Sequence, residues 1–345
     1  MKYRLHFTLD YEIHGNGDGD PWILMVEPTA RLMDLLEKYG QKLTIMADVA
    51  EIVSFKRFFL ETGDDRFHVT EIEAQLQDAV RRGHDVQLHI HSSWFRAVWN
   101  GKKWDQFIDE YNMAALPLER IDEMVGQCVR YLESLITPIM PNYRVWLFRA
   151  ANWSMMPTKN IYSVLVKYGI TADTSVFKGG AQSGNVSFDY REAYHNLLSY
   201  PASSININHL AHASQKNVII EYPIYTEMRP FWAFISPMRA FRMIRAKFHR
   251  HKKSSTASND SSKYKQDNRR LTVHSFFRKS PWKLDFNQAT GGQLIAAMKR
   301  VSALRIPDRD VIDVIFIGHS KSFLPYNEAS FEKFLKWAFT NSMFF

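Results

Sequence analysis

Residues 83–94 read GHDVQLHIHSSW. A helix across TEIEAQLQDAVRRG ends at Gly83, a residue type that commonly stops a helix. HDVQLHIH then reads as a strand. Side chains two apart on a strand share a face, so His89 and His91 point the same way. A half-buried strand has no packing reason to spend two same-face positions on imidazoles.

The strands around this one alternate with helices. YRLHFTLD is the first and ends at Asp10; the Gly/Asp loop HGNGDGDP follows. A helix is predicted over 27–39, then the strand KLTIMADV. After 83–94 come a helix near 117–136, with Pro117 at its start, and the strand RVWLFRAANW. A helix near 157–168 stops at Gly169, and ITADTSVF, NVIIEYPIY and VIDVIFIGHS are the remaining strands, with a closing helix near 328–340. This alternation predicts an α/β fold with a parallel sheet and helical crossovers. About seven strands favour a closed or partly closed (β/α) barrel over an open sheet.

The chain has 345 residues, of which 46% are hydrophobic, enough for one sizeable core. We expect a single domain over 1–345, interrupted by an insertion at about 226–280. RPFWAFISPMRAFRMIRAKFHRHKK reads there as an aromatic, basic helix, followed by the Ser-rich, polar SSTASNDSSKYKQDNRR. Net charge is +8, but residues 239–270 hold 11 Lys or Arg against two acids, so this segment is +9 and the rest is −1. The basicity belongs to one segment and not to the fold, which argues against a nucleic-acid partner. The segment suits a peripheral contact with anionic membrane lipid or with a phosphorylated glycan carrier.

The single cysteine, Cys128, falls on the apolar stripe of the 117–136 helix and is expected in the core. No internal disulfide can form. With no signal-peptide pattern and no run of 18 apolar residues, the expected location is cytoplasmic, with contact at the inner face of the membrane through the basic segment.

In a parallel β/α domain the site lies at the carboxyl ends of the strands. The first strand delivers Asp10 and Glu12 on one face, and the third delivers His89 and His91. The fourth delivers Arg149 and the last His319. Adjacent carboxylates repel and call for a cation or a shared proton. Two carboxylates and two imidazoles at one sheet end make a divalent-metal site, with Zn2+ preferred and Fe, Mn, Co or Ni using the same donors. Such a metal polarises a carbonyl, a carboxylate takes a proton from water, and a histidine protonates the leaving group. Asp10 is the expected base, His319 the acid, and Arg149 the group that orients Asp10. His84, His195, His209 and His212 are read as structural.

The order of these motifs resembles the polysaccharide deacetylase superfamily, the carbohydrate esterase family 4 or NodB-homology group. Its T-F-D-D-G motif is matched by TLDYE, with Asp10 at the base position, and its G-H-E-[IV]-x-x-H motif by GHDVQLH, with His89 as first metal histidine. Arg149 matches the arginine that holds the base. FIGH places His319 on the final motif. H-x-H, F-R-A and G-H-[ST]-K, together with DTSVF and FDYREA, resemble an intracellular branch found with surface-polysaccharide biosynthesis. The resemblance spans Phe7 to His319 and implies a deformed (β/α) barrel, a divalent metal, and removal of N- or O-acetyl groups from sugars. Two positions depart from the pattern. Tyr11 stands at the second Asp, so Glu12 is expected as the carboxylate ligand. Ser93 stands at the second His, so His91 is expected to substitute. Lys321 is expected to contact a substrate phosphate or carboxylate and Trp153 to offer a ring for sugar stacking; Trp94 and Trp99 are near enough to the strand ends to stack too, but each tryptophan taken alone reads first as packing.

The leading reading is a metal-dependent carbohydrate deacetylase acting on a glycan precursor. A second reading is a non-catalytic carbohydrate-binding component of a polysaccharide assembly complex on the same fold. A glycoside hydrolase with Asp10 and Glu12 as its acid pair ranks last. Carboxylates two apart on one strand sit too close to flank a glycosidic bond at roughly 5 Å or more.

Overall fold

The computed structural model describes residues 1–230, 279–304, 306, 307 and 309–345. The aromatic, basic helix and the 239–270 run expected from the sequence lie outside the described residues.

Strand β1 (Lys2–Tyr11) alternates exposed and buried at its start and is buried throughout its second half. That pattern fits a strand with neighbours on both edges and cover on both faces. It pairs in parallel with β2 (Leu43–Asp48) and with the last strand, β7 (Val311–His319). Beyond β2 follow β3 (Asp85–Ile90), β4 (Leu147–Ala150), β5 (Ala172–Asp173) and β6 (Ile220–Glu221), all parallel. Tyr200–Pro201 adds an antiparallel pair to β6.

The sheet curls until its two edges meet. Just past β6, the Ile224 amide donates to the Val176 carbonyl at 2.9 Å on one side, and Ile224 bridges Ile315 of β7 on the other. Seven parallel segments thus ring the core, as expected, and the seam is made by isolated bridges, Ile224 to Ile315 and Asp285 to Ile317, rather than by a full ladder. The seam is also where the insertion leaves. Thr226–Pro230 and Lys279–Lys283 pair as an antiparallel hairpin. At its foot Leu284 donates to the Tyr225 carbonyl at 3.1 Å, and Phe286 to Ile317 at 2.9 Å.

The helices cover the outside. They are α1 (Glu27–Glu37), α2 (Val49–Thr62), α3 (Val69–Arg81), α4 (Leu118–Ile136), α5 (Thr158–Lys167), α6 (Gly291–Ser302) and α7 (Pro325–Phe339). Two of them, α2 and α6, escape the sequence reading. Helix α2 follows β2 with no loop, since Asp48 alone makes the turn (φ −72°, ψ 86°), so no Gly or Pro punctuates the change. Helix α6 opens on Gly291-Gly292, a poor helix signal, and is started by a capping box. Thr290 Oγ1 accepts from the Gln293 amide at 3.2 Å, and Gln293 Oε1 accepts from the Thr290 amide at 2.9 Å. Cys128 is fully buried in α4, as expected. Packing of Phe7 against Phe316 (5.2 Å between centroids) and Phe331 (5.5 Å) ties β1, β7 and α7 into one aromatic layer.

Candidate active site

The register aligns the site. Asp10 lies opposite His319 across β1 and β7, and His89 opposite Arg149 across β3 and β4. Their side chains converge at the carboxyl ends of the strands on a cavity of about 160 Å³. Asp10, Glu12, His89, His91, Trp153, His319 and Lys321 all line it. Arg149 lies beneath, fully buried.

Asp10 Oδ1 accepts from Arg149 Nη1 at 2.6 Å, and Asp10 Oδ2 faces His319 Nε2 at 3.4 Å. Arg149 is itself held. Its Nη2 donates to Thr8 Oγ1 at 2.7 Å and its Nε to the Thr174 carbonyl at 3.0 Å. Burial would raise the Asp10 pKa, but Arg149, His89 and His319 together bring it below the ordinary carboxylate value. His319 is set from outside the barrel, its amide donating to Asn287 Oδ1 at 2.6 Å.

Glu12 is the hub of the second cluster. Its Oε2 lies 2.8 Å from His91 Nε2 and 3.9 Å from His89 Nε2. Its Oε1 accepts from Lys321 Nζ at 2.6 Å. Burial opposes ionisation, yet Lys321 and His91 hold Glu12 well below the usual range. His89 Nδ1 donates to the Arg149 carbonyl at 2.8 Å. A carbonyl can only accept, so Nδ1 carries the proton and the Nε2 lone pair faces the cavity. Burial also pushes His89 down to about 4, keeping it neutral. Two more acids are buried behind these groups. Asp48 Oδ1 accepts from the His91 amide at 3.1 Å, and burial raises Asp48 to about 7. Glu51 Oε1 accepts from the Ile13 amide at 2.9 Å, and burial raises Glu51 well above the usual range.

These donors fit a divalent metal. One carboxylate oxygen of Glu12 and one imidazole nitrogen each of His89 and His91 lie within 4.8 Å of one another, and Asp10, Glu12 and His319 form a second such group. Tyr11 points away and donates to Gln75 Oε1 at 2.8 Å. Ser93 is bonded to Gln106 at 2.8 Å. The two positions that break the family pattern are therefore outside the cavity, and the two expected replacements are inside it.

Trp94 is 2% exposed and packs edge-on against Phe55 at 5.5 Å, so it has no ring face for a sugar. Trp99 packs on Phe67 at 5.0 Å. Of the three tryptophans, only Trp153 borders the cavity, 6.2 Å between centroids from His319. Lys321 does not stand free, because it is bonded to Glu12. The sequence reading missed Thr8, Thr174 and Asn287, which position the working groups. Thr8 and Thr174 stand inside TLDYE and DTSVF, but hydroxyl and amide residues near strand ends are common and nothing local tells which of them will meet an arginine. It also missed the buried acids Asp48 and Glu51.

No family model matches the chain, and no curated protein matches it. Solved structures do resemble it. The chain is similar in structure to polysaccharide deacetylases. One is a polysaccharide deacetylase candidate from Mycobacterium smegmatis, at 10% identity and TM-score 0.48, covering 100% of this chain and 86% of that one. Another is a probable polysaccharide deacetylase from Pseudomonas aeruginosa PAO1, at 12% identity and TM-score 0.48, covering 99% and 87%. The Puue allantoinase is similar to the same degree, at 11% identity and TM-score 0.49, covering 99% and 86%. Among the described residues no helix is long and apolar enough to cross a membrane.

Proposed function

We propose that the protein is a metal-dependent hydrolase that removes an N- or O-linked acetyl group from a sugar of a cell-surface polysaccharide precursor. One observation carries this reading. A base held by an arginine (Asp10), a histidine beside it (His319) and a three-donor cluster (Glu12, His89, His91) share one small cavity.

Glu12, His89 and His91 are the residues that would hold the metal, most suitably Zn2+, with Fe, Mn, Co or Ni served by the same donors. The ion would polarise the acetyl carbonyl and acidify a water. The protein's own groups do the rest. Asp10 takes the water's proton at Oδ2, the oxygen that Arg149 leaves unbonded. Arg149 keeps Asp10 ionised and fixes its direction. His319 delivers a proton to the departing sugar nitrogen or oxygen, held in place by Asn287. Trp153 forms the wall against which the sugar ring rests. The lone buried thiol suits a reducing, cytoplasmic setting. The basic run at 239–270 suits an anionic membrane surface or carrier nearby.

Elemental analysis of purified wild type beside His89→Ala and His91→Ala tests the metal. Near-stoichiometric metal in wild type, lost in both variants, is expected. His319→Ala should retain metal and lose acetate release. Wild type that takes up no metal after reconstitution would overturn the reading in favour of a carbohydrate-binding protein.

A further inference from the structure

A second, larger cavity adjoins the first. It measures about 1120 Å³, above the ~300–1,000 Å³ usual for a small-molecule site, so it has room for more than one sugar residue. Trp153 is the shared wall. One side meets His319 at 6.2 Å, and Lys283 Nζ sits over the ring at 3.9 Å. Lys283 also lies over Phe177 at 4.3 Å. Groove and candidate catalytic cavity therefore lie side by side and share one indole as lining.

The groove is cationic. Lys178, Lys279, Lys283 and Arg191 line it, and among the described residues no Asp or Glu does. Arg191 is discounted, since Asp189 neutralises it with bonds of 2.9 and 3.1 Å to its Nε. The three lysines have no carboxylate partner among the described residues. Lysines that merely dress a surface are usually solvated singly. These three come from two separate segments, 178–182 and the seam hairpin, and face one concavity. His195 adds a neutral donor. Its Nδ1 accepts from the Leu197 and Leu198 amides at 2.9 and 2.8 Å, which leaves the proton on Nε2. The hairpin that carries Lys279 and Lys283 is the one from which the basic stretch of sequence departs.

We infer that this groove binds an anionic oligosaccharide, with Lys178, Lys279 and Lys283 holding carboxylate or phosphate groups on sugars next to the one at Trp153. The inference rests on the deacetylase reading for the direction of the chain but not for the binding itself. Uronic acids and phosphorylated sugars supply the same charge, and binding distinguishes them.

Titration calorimetry on the full chain answers it with three unacetylated probes: tetragalacturonate, a mannotetraose bearing one phosphate, and neutral, unphosphorylated mannotetraose. At least one anionic probe should bind about tenfold tighter than the neutral one, with an affinity that falls as salt rises. Lys178→Ala/Lys279→Ala should lose about that factor for the anionic probe and leave the neutral one unchanged. Neither lysine touches the candidate catalytic groups. Whichever anion wins names the source. Equal affinity for all three probes, or an unchanged double variant, would overturn the inference. Because no probe carries acetyl, the two readings fail separately. Anion binding without acetate release from acetylated glycans sinks the activity and keeps the groove. Release from neutral glycans with no anionic preference does the reverse.

Discussion

Arg149 donates from Nη1 to Asp10 Oδ1 at 2.6 Å, across the barrel interior from β4 to β1, and both side chains are buried. Burial removes most of the water that would otherwise solvate either charge. The pair holds a base ionised in a place where burial alone would protonate it.

Arg149→Ala should therefore destabilise the protein by about 3–5 kcal/mol at pH 7, because Asp10 is left as an uncompensated buried charge. The sign with pH follows from the lowered Asp10 pKa. Its contribution to wild type is present above the unfolded carboxylate value of about 3.9 and is lost as pH falls through the folded value. In the variant Asp10 protonates more readily, so the gap between the two proteins narrows toward acid. Urea midpoints at pH 7 and pH 4 check this; a gap that widens in acid would contradict it.

A metal ion at the proposed site would compete with Lys321 for Glu12. The ammonium lies 2.6 Å from Oε1 and contributes most to keeping Glu12 ionised. Lys321→Met removes a repelling charge and frees a carboxylate oxygen. Zn2+ affinity by competition titration should rise by about tenfold. Weaker binding would mean that Lys321 supports the ligand set instead.

Gly318 sits beside the proposed acid. A Cβ there would come within 2.1 Å of the Phe286 ring and 2.6 Å of Asn287 Oδ1. That Asn287 oxygen accepts from the His319 amide. Gly318→Ala should cost about 1–3 kcal/mol of stability through overpacking. It should lower kcat for acetate release more than tenfold, with metal content unchanged. Calorimetric unfolding and steady-state kinetics on one preparation separate the two effects.

His84 carries a structural pH dependence. Its Nδ1 accepts from the Leu43 amide at 2.9 Å, and burial pushes it down to about 4 despite Glu37 beside it. The unfolded chain binds a proton near pH 6.5 that the folded chain refuses until about pH 4. Stability should thus fall as pH drops between those values, by about 1–2 kcal/mol from pH 6.5 to pH 5. His84→Asn keeps an acceptor for Leu43 without titrating. Its urea midpoint should be flatter over the same range.

Much of the site was legible because strand-end chemistry follows short periods. Two residues apart on one strand means one face, and this placed Asp10 with Glu12 and His89 with His91. The resemblance marked Tyr11 and Ser93 as departures, and both side chains bond elsewhere while Glu12 and His91 line the cavity. Helices α2 and α6 were less legible, since α2 follows β2 with no loop to mark its start and α6 opens on two glycines, a poor helix signal. The tryptophans were ambiguous for a physical reason. An aromatic ring near a strand end satisfies core packing and ligand stacking equally well, and only neighbours such as Phe55 beside Trp94 choose between them.

The sequence by itself determined the β–α alternation, the residues delivered at each strand end, and the confinement of positive charge to 239–270. These depend on local period and composition. Tertiary structure alone decided the rest. It closed the barrel through Ile224 against Ile315, bonded Lys321 to Glu12, aimed Asn287 at His319, and brought Lys178 and Lys283 to one groove. Each of these joins residues tens to hundreds of positions apart. No local periodicity encodes such a meeting, which exists only once the sheet has curled and its seam has formed.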